Sequence, residues 1–208
     1  EGLFLFPNIE FRVDKVIYRS RDNRNPRRLN FHVLFSPKEV TPELIEEHFL
    51  HDLDFVYENE PFQSPNTRKL KMSNLEEFGE NLRQQHESFQ SQSALEIGCK
   101  NAIVRVDDIK KILDGDKRFS GNYLLVLAEE DLSLMNWDSQ DHAVRKQLLQ
   151  MSHALFSANS GTHNFCLGKM HDSEDDYIAE FKSLKPCIWG CDAHGYEERF
   201  LEPDERRY

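Results

Sequence analysis

The chain has 208 residues, 38% of them hydrophobic and 30% charged, with a formal net charge of -11. That length supports one sizeable domain with a real core, and no apolar run approaches the roughly 20 residues that cross a bilayer. The acidic total argues against non-specific nucleic-acid binding by the whole surface.

In chain order, Leu3 to Phe6 reads as a short buried strand closed by Pro7-Asn8-Ile9-Glu10, and Phe11 to Ile17 as a second strand. The loop "RSRDNRNPRRL" then sets Arg19, Arg21, Arg24, Arg27 and Arg28 against one acid, Asp22. In "NFHVLF", Phe31, Val33 and Phe35 alternate with Asn30, His32 and Leu34, the period of a strand. Thr41-Pro42 caps and opens a helix with Leu44, Ile45, His48 and Phe49 on its apolar face. Residues 54 to 72 hold two prolines and few periodic positions, and read as a loop. Ser73-Asn74-Leu75-Glu76 forms a capping box. The helix behind it places Leu75, Phe78, Leu82 and Phe89 near heptad spacing. That stripe is too short for a coiled coil; it fits packing on the domain or a surface for homo-oligomer assembly. Residues 41–105 therefore read as a helical insertion.

Strand and helix then alternate. Asp107 to Leu113 is a short helix ended by Gly115, and "NYLLVLA" is a strand of the kind covered on both faces. Gln140 to Met151 is a helix with Ala143, Val144, Leu148 and Met151 inward, and "HALFSAN" is a strand. Ser173 caps a helix with Tyr177, Ile178, Phe181 and Leu184 inward, and Cys187 to Cys191 is the last strand. This β-α-β-α order implies an α/β fold with a parallel sheet and helices outside, barrel or open. The start at Glu1 in "LFLF" and the stop in "EPDERRY" read as a piece of a longer protein.

Four cysteines, at 99, 166, 187 and 191, lack C-x-x-C spacing, so neither a zinc staple nor a disulfide framework is expected. Cys187 and Cys191 would stand about 13 Å apart on one strand. Reduced, buried thiols and a cytoplasmic setting follow.

The last strand ends in Asp192-Ala193-His194-Gly195. Side chains two apart on a strand share a face, and carboxyl ends of strands are where α/β folds gather chemistry. A carboxylate beside an imidazole suits Zn, Mn or Fe; the plainer reading is a turn carboxylate and a surface histidine. Glu10 ends the first visible strand and His32 faces away from Phe31 and Val33. Taken singly, one reads as a solvated acid and the other as a satisfied core histidine. Together the strands deliver Glu, His and Asp-x-His in that order.

That order resembles the polymerase and histidinol phosphatase (PHP) superfamily. "PNIE" is similar to the family's glutamate strand, "FHVLF" to its histidine strand and "IWGCDAHG" to its closing D-x-H. The closing segment with "FLEPDERRY" is most similar to PHP domains fused to SMC-like or AAA-type ATPases, the TrlF-like proteins linked with bacterial anti-phage defence. The resemblance implies a distorted, TIM-like (β/α)7 barrel of the PHP type over 1–208, with its N-terminal strands missing from this chain. The family's first motif, H-x-H, and further ligands before the glutamate are absent, and so is its histidine after the strand corresponding to "HALFSAN".

The resemblance also implies two or three divalent ions held by Glu10, His32, Asp192 and His194. Asp192 and His194 would take part in catalysis, as a water activated by metal attacks a phosphodiester. The five arginines would guide a DNA or RNA backbone. The implied function is a metal-dependent phosphoesterase, a nuclease more than a small-molecule phosphatase. Two alternatives stand beside it: a degenerate PHP domain serving an ATPase as scaffold or regulatory module, and an unrelated α/β binding domain.

Overall fold

Alternating burial makes the first long strand. In β1 (Asn8–Tyr18), Phe11, Val13 and Ile17 are buried while Glu10 and Arg12 are exposed. The computed structural model describes residues 5–18, 26–128, 132 and 142–188, and only the backbone of Tyr18, Pro26 and Arg27. Leu5 and Phe6, expected in a buried strand, lie outside any strand and are 73% and 58% exposed. Pro7 has no N–H to give a ladder, and the strand begins after it. Leu3 and Phe4 lie outside the described residues.

The remaining strands are β2 (Pro26–Phe35), β3 (Asp54–Val56), β4 (Arg68–Lys69), β5 (Ile103–Val104), β6 (Tyr123–Ala128), β7 (Ala154–Phe156) and β8 (Cys187–Ile188). Their order is β4-β3-β5-β1-β2-β6-β7-β8, a mixed α/β sheet that is not closed among the described residues. It is not the all-parallel sheet expected, because β3 runs antiparallel to both β4 and β5. Both β3 and β4 fall in the segment expected to be a loop. Two or three residues are too few to display a period, yet Phe55 and Val56 are fully or almost fully buried.

Two units divide the chain: Glu1–Asp14 with Phe35–Tyr123, and Lys15–Leu34 with Leu124–Tyr208. In the first, β5 pairs parallel with β1 through Arg12–Ile103 and Val13–Val104. Its core holds Phe11, Phe35, Phe49 and Phe119, with Phe49 5.7, 5.5 and 6.0 Å from the other three ring centres. Helix α1 (Pro42–His48) starts as expected, with Thr41 Oγ1 accepting the Leu44 N–H at 3.3 Å and proline in the first turn.

Helix α2 (Met72–Gln85) departs from expectation at its start. Lys71 is the N-cap, so Ser73 already lies inside the helix, and the Asn74 amide donates to the Lys69 carbonyl at 2.8 Å. Three of the four stripe positions hold: Leu75, Phe78 and Leu82 are buried, with Phe78 5.4 Å from Phe55, while Phe89 lies beyond the helix in a short 3-10 turn and is half-buried. Its partner is α3 (Ala94–Asn101), a helix the sequence reading did not anticipate. A Cβ on Gly79 would land on the Ala94 carbonyl oxygen, and one on Gly98 on that of Leu75. Only glycine lets two backbones come so close. Helix α4 (Val106–Gly115) is capped from afar, Asp14 Oδ1 accepting the Val106 N–H at 3.1 Å.

In the second unit β6, β7 and β8 are parallel, as the alternating order predicted. Between them run α5 (His142–Met151), α6 (Ser160–Cys166) and α7 (Glu174–Phe181). Ser173 caps α7 through the Asp176 N–H at 3.2 Å, and Tyr177 and Phe181 are buried as expected. Two faces differ from expectation. Arg145, Leu148 and Leu149 are buried in α5 while Ala143 is exposed, and Ile178 of α7 is 37% exposed. No helix among the described residues is long and apolar enough to cross a membrane.

Candidate functional site

The carboxyl ends of β6, β7 and β8 come level in the second unit. Ala128 pairs with Phe156, and Phe156 with Ile188, each the last described residue of its strand. β2 brings His32 against this edge. Phe31 and Val33 fill the core on one face of β2, and His32 points to the other face. That face is covered too, since His32 is only 9% exposed. Its ring meets Phe156 edge to face, with centres 4.9 Å apart and planes at 85°. Burial pushes the imidazole pKa down to about 4, so the ring is neutral at neutral pH and keeps a nitrogen lone pair.

The turn beyond β7 is polar and tightly bonded. Ser157 is fully buried, its N–H donates to the Ile188 carbonyl at 3.2 Å, and its hydroxyl accepts the Asn159 N–H at 3.2 Å. Asn159 Oδ1 in turn accepts the Thr162 N–H at 2.9 Å and caps α6. This is where the PHP resemblance would place a histidine, and the chain puts a helix cap there instead. His153 stands at the opposite end of β7, where its Nδ1 accepts the Leu125 N–H at 2.9 Å.

Glu10 belongs to the first unit. It is exposed on β1 and lines a cavity of about 470 Å³ walled by Ile45, Leu50, Leu75 and Ala102. Arg12, one alternation further along, lines the same cavity, as do Glu46 and His51, which face each other at 3.7 Å. Asp192, His194, Arg19, Arg21 and Arg24 lie outside the described residues, and of Arg27 only the backbone is described. Arg28 is half-buried on β2. Among the described residues no group of three or more His, Cys, Asp or Glu side chains is arranged to hold a metal ion.

Sequence reasoning missed a second polar group in this unit, gathered where α6 ends and β8 begins. Lys185 is 1% exposed, and Cys166 and Tyr177 are fully buried beside it. No spacing in the sequence relates Cys166 to Lys185 and Cys187, some 20 positions later; the fold alone brings the Lys185 N–H to the Cys166 carbonyl.

Compared with family models, with curated proteins and with solved structures, the chain finds no match in any of the three.

Proposed function

We propose that the chain is a PHP-type domain, of the distorted (β/α)7 barrel class, that hydrolyses phosphodiester bonds with divalent metal ions. The observation that carries this reading is His32. A buried, neutral imidazole at the carboxyl edge of three aligned parallel strands fits the chemistry of a Zn, Mn or Fe ligand. Covalent geometry adds reach. Asp192 and His194 follow Ile188 by four and six residues, so they stand at most about 14 and 22 Å along an extended chain from it.

In this reading His32, Asp192 and His194 would hold the ions, which would supply Lewis acidity at a phosphoryl oxygen and a water that is nucleophilic at neutral pH; Glu10, expected beside them, stands near the start of β1 in the first unit. His32 contributes a ligand nitrogen that needs no deprotonation. Phe156 meets that ring edge to face. Arg19, Arg21, Arg24, Arg27 and Arg28 steer a nucleic-acid backbone, and the chain works beside a fused or associated SMC-like or AAA-type ATPase in a cytoplasmic anti-phage system. The helix cap at Asn159, in place of a histidine, favours the second reading of a degenerate domain that serves an ATPase as scaffold.

Metal content and phosphodiester cleavage by the full protein separate the two. Expected are bound transition metal and a drop of at least about 100-fold in cleavage for both His32→Ala and His194→Ala. Metal without cleavage selects the scaffold. Protein that binds no transition metal, with variants cleaving like wild type, ends the enzyme reading.

A further inference from the structure

Alternation along β1 puts Asn8, Glu10 and Arg12 on one face of the strand, and all three are exposed at the cavity of about 470 Å³ in the first unit. Much of the remaining wall is apolar. Ile45 of α1, Leu75 of α2 and Ala102 at the end of α3 are buried there, and Leu50 is half-buried. Protein interiors close-pack, whereas an opening of this size falls in the range that takes small organic ligands. Its wall is also stiff. Gly79 and Gly98 already hold the α2 and α3 backbones in contact, so the two helices cannot move closer to fill the space.

Charge selects what could enter. Glu46 Oε1 faces His51 Nε2 at 3.7 Å, and Glu10 has a partner of its own. Among the described residues, no carboxylate pairs with the Arg12 guanidinium. We propose that this cavity binds a small apolar carboxylic acid, its aliphatic or aryl body against Ile45, Leu50, Leu75 and Ala102 and its carboxylate on Arg12. A guanidinium offers paired N–H donors that match the two oxygens of a carboxylate. One unpaired cation, with Glu10 and Glu46 on the same walls, suits a single negative charge; a phosphate dianion would meet repulsion from both acids. An amine of the same shape would leave Arg12 unpaired beside a second cation. The apolar body supplies most of the affinity, and the carboxylate fixes identity and orientation. The inference stands apart from the phosphoesterase reading, since it uses neither His32 nor any residue of the second unit.

Cys99 of α3 is a reporter in the wall. It is a free thiol that lines the cavity, and burial pushes its pKa up, so a bound molecule shields it from a neutral alkylating agent. The test titrates the native protein with decanoate, decanol and decylamine, which share a chain and differ in head group, and with acetate, which has the head group alone. Binding is read by calorimetry and by the rate at which iodoacetamide modifies Cys99, followed by peptide mass spectrometry. Expected is decanoate binding at least about tenfold tighter than decanol or decylamine. Decanoate also slows Cys99 modification, and acetate does neither. Arg12→Met brings decanoate to the affinity of decanol, and Arg12→Lys keeps part of the preference. The wild-type series decides alone should Arg12→Met not fold. Decanol binding as tightly as decanoate, tighter binding of decylamine, or no saturable binding of decanoate overturns the proposal. So does decanoate that leaves Cys99 modification unchanged, or a folded Arg12→Met that keeps the full preference.

Discussion

The two units bury different chemistry. In the first, the buried side chains among the described residues are hydrophobic, and charges pair where water reaches them, as in Lys110 with Asp114 and Arg118 with Asp116. Such exposed pairs contribute little to stability. In the second lie His32, Arg145, Ser152, Ser157, Thr162 and Lys185, all polar and all buried. Three of them do local structural work: Ser152 donates to the Leu148 carbonyl at 2.7 Å, Thr162 accepts the Leu132 N–H, and Ser157 accepts that of Asn159. Burying His32 and Lys185 disfavours their charged forms and needs local compensation. The contrast sets an apolar core in the first unit against buried polar groups in the second, whose perturbed protonation states are of the kind that collect at functional sites.

The strongest way to break the contrast is to damage packing in the first unit. Gly98→Ala sets a Cβ onto the Leu75 carbonyl oxygen, with Leu75 Cα 3.2 Å away. Both are backbone, so no rotamer change relieves the clash. The expected loss is about 3 kcal/mol, seen as a lower midpoint in urea unfolding. A loss under about 0.5 kcal/mol would show that α2 and α3 slide apart freely, and would leave the first unit without a rigid helical pair.

Acid probes the second unit. His32 has a folded pKa near 4 against 6.5 unfolded, so between those values the unfolded chain binds the proton and the native one does not. Stability is therefore full above pH 6.5 and falls as pH drops toward 4. At pH 5 the loss amounts to about 2 kcal/mol relative to pH 7.5. Carboxylates also titrate there, so the measurement is the difference between wild type and His32→Gln, both in chelator. Equal pH slopes in the two proteins would mean that protonated His32 is tolerated where it stands.

Much of this contrast could be read from residue order, and some of it could not. Long alternations were legible. β1, β2 and β6 follow from Phe11 to Ile17, Phe31 to Phe35 and the "NYLLVLA" run. Caps with a side-chain oxygen three residues before their N–H, as at Thr41 and Ser173, were legible too. Short elements were not: β3 and β4 have no room for a period, and α6 hides behind Asn159, which looked like the tail of a strand. At the candidate site, His32 was legible as a residue facing away from the core, but its burial was not. Phe156, which meets the His32 ring, lies more than a hundred positions away, and side-chain periodicity carries no information about such contacts. The approach of Lys185 to Cys166 was hidden for the same reason.

The finest test of the contrast is Tyr177→Phe. Tyr177 is fully buried among Phe165, His171 and Phe181, with its ring 5.5, 5.1 and 4.8 Å from theirs. Its hydroxyl finds no hydrogen-bond partner of good geometry, and the Cys166 thiol beside it is a weak acceptor. Burial, first, and the Cys166 sulfur, second, push its pKa well above the usual tyrosine value, so it stays a neutral phenol. If the hydroxyl is retained only for packing, phenylalanine fills the same space without a desolvated polar group. Stability then rises by about 1 kcal/mol, a gain of about 3 °C in Tm. If the hydroxyl instead donates to Cys166, its removal costs stability and Tm falls. A rise in Tm would place Tyr177 with the hydrophobic core of its unit.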